Sequence, residues 1–261
     1  ADAATLVDLA VLRLKTGDVS NPPARILDMV PAQKISGTTA AKFNTAKGLI
    51  ALNDGARLDG ARQAFDLALK TDRSFAPAAF NRAMVQYLDP NFNFTDAGKS
   101  GKLAAEFARI SEMPQLDISG RNAAKIMVAL IHLRNRDSAL AKQTRDFLDK
   151  VQKSQVQYWQ EASLLKAYAR YLSGQAPQAA RDLRITLGAD PFVTDEHVND
   201  PYLYLEPLGW RALLPMCEEM YRTATGTNVK KDATLEAMFY FCRFKAGEQP
   251  EQAVAGGKAA C

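Results

Sequence analysis

Apolar residues recur at three- and four-residue intervals along nearly the whole chain, and almost nowhere do they alternate as a half-buried strand requires. This periodicity predicts helices over 3–16, 22–30, 38–53, 58–71, 76–88, 96–112, 119–135, 137–153, 157–173, 176–188, 208–223 and 231–246. The links between them are mostly short and carry Gly, Pro, Asn or Asp: "TGDVSNPP", "NDGA", "RNRD" and "SGQAP". Short links force consecutive helices to pack antiparallel. The expected fold is all-α, an array of antiparallel helical hairpins.

Aligning the hairpins exposes an internal repeat. In "ARLDGARQAFDLALKTD", Ala56 precedes Ala61 by five residues, and Phe65, Ala68 and Asp72 follow. In "GQAPQAARDLRITLGADP", Gly174 precedes Ala179 by five, and Leu183, Thr186 and Asp190 follow at the same spacings. Small residues recur where two helices approach closely, a large one fills the gap, and Asp ends the turn. "APAAFNRAMVQYL" has the character of a hairpin's first helix.

This pattern resembles the tetratricopeptide repeat family over roughly 38–190, with Gly48 where that family places a small residue. A further degenerate pair is expected within 208–253, with "KAGEQPEQA" as its turn. The family's signature Trp and first-helix Leu-Gly pair are mostly missing. Asp72 and Asp190 stand 118 residues apart, which fits three intervals of about 39 rather than the family's ~34, with the excess in loops such as 89–95. The resemblance implies a superhelical α-solenoid. It divides the chain into an N-terminal cap at 1–37, a repeat array at 38–190, and a loop, degenerate hairpin and tail at 191–261.

Composition narrows the function by exclusion. With 261 residues, 47% of them hydrophobic, the chain can bury a large core. Its net charge of +4 comes from interspersed acids and bases, so no basic stripe points to nucleic acid. No apolar run approaches the ~20 residues that cross a bilayer. The opening "ADAATLV" lacks an initiating Met and fits either a chain cleaved after a signal peptide or an arbitrary boundary. Cys217 and Cys242 fall on consecutive predicted helices that antiparallel packing can bring together; the alternative is a pair of inert core thiols. Cys261 is left over at the tail.

Catalytic and cofactor motifs are weak. "DAGKSGK" contains Gly-Lys-Ser at a helix start, but a phosphate loop needs Gly five residues earlier, where Asn93 stands, and a buried strand before it. His132, in "MVALIHLRNR", reads as a packed or partly exposed helix residue, and His197, in "TDEHVND", as a solvated loop residue rather than a metal ligand. The adjacent Glu218 and Glu219 point to different helix faces. No Gly-x-Ser-x-Gly or Cys-x-x-Cys pattern occurs. The expectation is a protein that is not an enzyme and takes no metal or cofactor.

The resemblance implies a concave groove lined by one stripe of each hairpin's first helix. In 76–88 that stripe holds Phe80, Asn81, Met84 and Tyr87; in 157–173 it holds Glu161, Leu164, Tyr168 and Tyr171. Asn81 stands where the family often fixes a bound peptide's backbone. An apolar, aromatic stripe suits an apolar segment or helix of another protein. The alternative is that these side chains are inter-helix core. The Pro- and aromatic-rich stretch 188–214 is expected to pack on itself, with Tyr202, Tyr204, Leu205 and Trp210 capping the array. The expected role is a non-catalytic adaptor in bacterial envelope assembly or secretion, exported or periplasmic, with a cytoplasmic location as the alternative. Two other roles compete: a regulatory domain binding a small molecule or signal peptide, and an enzyme subunit.

Overall fold

The computed structural model describes residues 2–16, 22–53, 58–134, 138–149, 156–189, 210–225 and 233–260. Among these residues there are thirteen α-helices, one 3₁₀ turn over Ala32–Lys34 and no strand. In chain order they are α1 (Ala3–Thr16), α2 (Pro23–Asp28), α3 (Gly37–Asn53), α4 (Leu58–Thr71), α5 (Ala76–Leu88), α6 (Ala97–Ser111) and α7 (Ile118–Arg134). Then follow α8 (Ser138–Leu148), α9 (Val156–Leu172), α10 (Ala176–Ala189), α11 (Trp210–Thr225), α12 (Ala233–Ala246) and α13 (Pro250–Ala260). The all-α class agrees with the periodicity, and α1, α4 and α5 have the expected bounds. Helix α13 was not expected. Its segment "PEQAVAGGKAA" carries two glycines and no large apolar stripe, so it reads as tail; Pro250 at its first turn and packing against α12 make it helical. The aromatic stretch 190–209, with Tyr202, Tyr204, Leu205 and His197, lies outside the described residues, as do the side chain of Trp210 and Cys261.

The chain forms two compact units, 1–93 with 105–124 and 94–104 with 125–261, so that α6 and α7 are divided between them. In the first, Val7 and Ala10 of α1 meet Ile26 and Leu27 of α2 and Phe43 and Ala46 of α3 in one apolar cluster. Helix α3 then packs on α4 and on α5. At the α3–α4 contact the Gly48 backbone lies directly on the Phe65 ring, and a Cβ there would come within 2.4 Å of it. Ala61, Phe65 and Ala68, the repeat's small-large-small set, are fully buried. Asp72 closes the turn after α4: its carboxylate accepts from the Ser74 hydroxyl (2.7 Å), the Ser74 N–H (3.0 Å) and the Thr38 hydroxyl (3.3 Å). These bonds, the Ser74 hydroxyl first, hold its pKa below the ordinary carboxylate value.

The second unit repeats this neighbour pattern. Helix α9 packs on α10 and on α11, and α12 packs on α11 and on α13. Residues 126–131 of α7 are buried without a break, as in a helix covered on every side. Two turns in this unit share one design. Gly174 (φ +75°) and Gly247 (φ +73°) adopt the left-handed conformation that favours glycine. After α9 the Gln175 N–H donates to the Arg170 carbonyl and Gly174 to Tyr171; after α12, Glu248 donates to Arg243 and Gly247 to Phe244. Each set satisfies carbonyls that the helix end leaves orphaned. The expected turn in "KAGEQPEQA" is thus present at Gly247.

Candidate functional site

Helix α5 is held by its flanks. Ala76, Ala78, Ala79, Ala83 and Val85 are buried, and small side chains there let neighbouring backbones approach closely. Arg82 reaches Asp66 of α4 at 2.6 Å and Glu106 of α6 at 3.6 Å, which ties α5 to both. The Asp66 hydrogen bond raises the Arg82 pKa further, against some desolvation.

What remains is an arc at i, i+3, i+4, i+7 and i+11: Pro77, Phe80, Asn81, Met84 and Leu88, with Tyr87 beside Met84. All are half-buried except Leu88, which is 50% exposed. Phe80 rests edge-on against Phe107 of α6, with centroids 5.6 Å apart and planes at 72°. The Asn81 amide donates to the Pro77 carbonyl at 2.8 Å, so its N–H is turned back onto its own helix. The sequence reading named four of these residues. Pro77 and Leu88 were missed, though the spacing that found Phe80 and Met84 also includes them.

The stripe on α9 is different. Leu164 and Tyr168 are both 1% exposed and belong to the core of the second unit, so the structure corrects their assignment to a groove. The cause is that α9 packs against α8, α10 and α11, so most of its circumference is covered. Two of its half-buried positions are charged and paired: Lys166 with Asp149, and Arg170 with Asp182 at 3.1 Å. Tyr171 is half-buried, its ring stacked 6.5 Å from that of Tyr168. Burial first, then the nearby Glu219 carboxylate, pushes its phenol above the ordinary value. The Glu161 side chain lies outside the described residues. Among the described side chains, the α5 stripe is half-buried along its length, whereas the α9 stripe is interrupted by the buried Leu164 and Tyr168.

No family model matches the chain, and no curated protein matches it either.

The Gly-Lys-Ser stretch serves its own helix. The Asp96 carboxylate accepts the Lys99 N–H at 3.0 Å, and the Asp96 carbonyl accepts both the N–H and the hydroxyl of Ser100 at 2.9 Å. This is an N-cap, in which a carboxylate takes the position an anion would need. His132 is a half-buried helix residue, its Nδ1 3.0 Å from the Thr144 hydroxyl, and burial lowers its pKa. Among the described residues no three His, Cys, Asp or Glu side chains are grouped to hold a metal, and no helix is long and apolar enough to cross a membrane.

Proposed function

We propose that this chain is a helical-repeat adaptor, similar in plan to tetratricopeptide repeats, that binds an apolar segment or helix of another protein. The observation that carries the proposal is the arc on α5. It is a helix-long row of half-buried apolar side chains with one amide at its edge, on an element locked by Arg82 and by its buried alanines. A rigid row of this kind suits an amphipathic partner, because it needs little ordering on binding. The repeat plan is supported by the packing of α3 on α4 and α5 and of α9 on α10 and α11, and by the Gly48–Phe65 contact. A setting in bacterial envelope assembly or secretion, in an exported or periplasmic chain, belongs to the same proposal.

The experiment is affinity capture from the native source with the full chain, comparing wild type with Met84→Glu and with Lys99→Ala. Met84→Glu places a charge at the middle of the arc, where its desolvation opposes an apolar partner. A partner lost with Met84→Glu and kept with Lys99→Ala supports the face. A partner retained undiminished by Met84→Glu places the interface elsewhere.

A further inference from the structure

Helices α11 and α12 face each other in strict antiparallel register. At one end the Arg211 guanidinium donates to the Ala246 carbonyl at 3.3 Å. At the other, the Tyr221 ring stacks on Phe239 at 4.8 Å with planes 3° apart, and its hydroxyl reaches Glu236 at 3.4 Å. Midway lie Cys217 and Cys242, free thiols that are 2% and 0% exposed, with their sulfurs 2.9 Å apart. Each contact forward along α11 is matched by one backward along α12, a register that sets the two sulfurs opposite one another. We propose that Cys217 and Cys242 are a disulfide site, and that oxidation by a small-molecule or protein disulfide clamps α11 to α12.

The electron balance is that of thiol–disulfide exchange. One cysteine, as thiolate, attacks a sulfur of the oxidant and releases one thiolate. The second cysteine then attacks the protein sulfur of the mixed disulfide and releases the other. Two electrons pass to the oxidant, and the two cysteine protons end on its two thiols. Access decides when this happens. In the closed hairpin the Cys217 thiol donates to Cys242, and this bond, with burial, pushes its pKa well above the ordinary thiol value. The closed pair therefore holds little thiolate to start the exchange. Oxidation belongs to folding, before the α11–α12 contact closes, and the finished bond is then shielded from reductant by the same burial. A bridge between residues 25 positions apart restricts the unfolded chain and raises the melting midpoint by about 5–10 °C.

The test refolds the full chain from denaturant with oxidised glutathione in excess, then maps unreduced peptides by mass spectrometry. The same mapping on chain expressed in an oxidising compartment and alkylated before extraction makes the result independent of refolding. The expected result is a peptide joining Cys217 to Cys242, with a midpoint that falls by about 5–10 °C on reduction. The reduction-dependent fall should vanish when both residues are changed to Ala. Recovery of Cys217 and Cys242 as thiols, as separate glutathione adducts, or joined to Cys261 would overturn the proposal.

Discussion

The α3–α4 and α11–α12 hairpins solve the same problem with opposite chemistry. Between α3 and α4 the approach is set by a missing side chain: Gly48 lies under the Phe65 ring, with Ala61 and Ala68 buried on either side of it along α4. Between α11 and α12 it is set by specific large groups, a sulfur pair and a stacked Tyr221–Phe239 pair. The first interface fails by overfilling or by emptying one ring's site. The second depends on which atoms meet. Small residues at fixed spacing recur and are visible as a repeat, whereas a matched pair of side chains occurs once and leaves no periodic trace.

The largest effects should come from emptying the buried sites. Phe65→Ala in the first unit and Tyr168→Ala in the second should each cost about 3–5 kcal/mol in urea unfolding, as buried aromatic truncations do. A loss under about 1 kcal/mol for either residue would remove it from the core. Overfilling comes next. Gly48→Ala places a Cβ within 2.4 Å of a fully buried ring and should destabilise by about 1–3 kcal/mol. Gly101→Ala on α6 meets nothing within 4 Å and should instead gain up to about 1 kcal/mol from helix propensity. The two glycine variants thus differ in sign, and equal signs would break the close-approach account.

A smaller effect concerns His132, which lies on α7 in the second unit. Its folded pKa is depressed by burial, so below the ordinary imidazole value of about 6.5 the unfolded chain takes up a proton that the folded chain resists. Stability should therefore fall as pH drops from about 7 to 5, by under about 1 kcal/mol for a partly exposed ring. His132→Gln should flatten that slope in urea midpoints measured across the same range. An unchanged slope would assign the dependence to other groups.

Most of the fold was legible because its determinants are local. The stripe Ala61, Phe65, Ala68 marks α4, and Gly174 followed by Pro177 marks the α9–α10 turn. Helix α13 was not legible, because packing on α12 rather than its own pattern makes it a helix. The candidate site was half legible. Periodicity identifies a stripe but not what covers it: Met84 and Tyr168 look alike in sequence, yet neighbouring helices enclose only Tyr168. The proximity of Cys217 and Cys242 followed from consecutive antiparallel helices, while their exact register depends on the Tyr221 and Arg211 contacts on either side.

The central claim is that α5 carries spare apolar surface whereas Leu164 and Tyr168 of the α9 stripe are core. The thermal midpoint of Met84→Glu tests it most directly, because a charge on spare surface is solvated and a charge in a core is not. The account predicts a midpoint within about 4 °C of wild type, the shift expected of a surface change costing about 1 kcal/mol or less. A midpoint lowered by about 10 °C or more would place Met84 in the core and remove the α5 face as a docking surface.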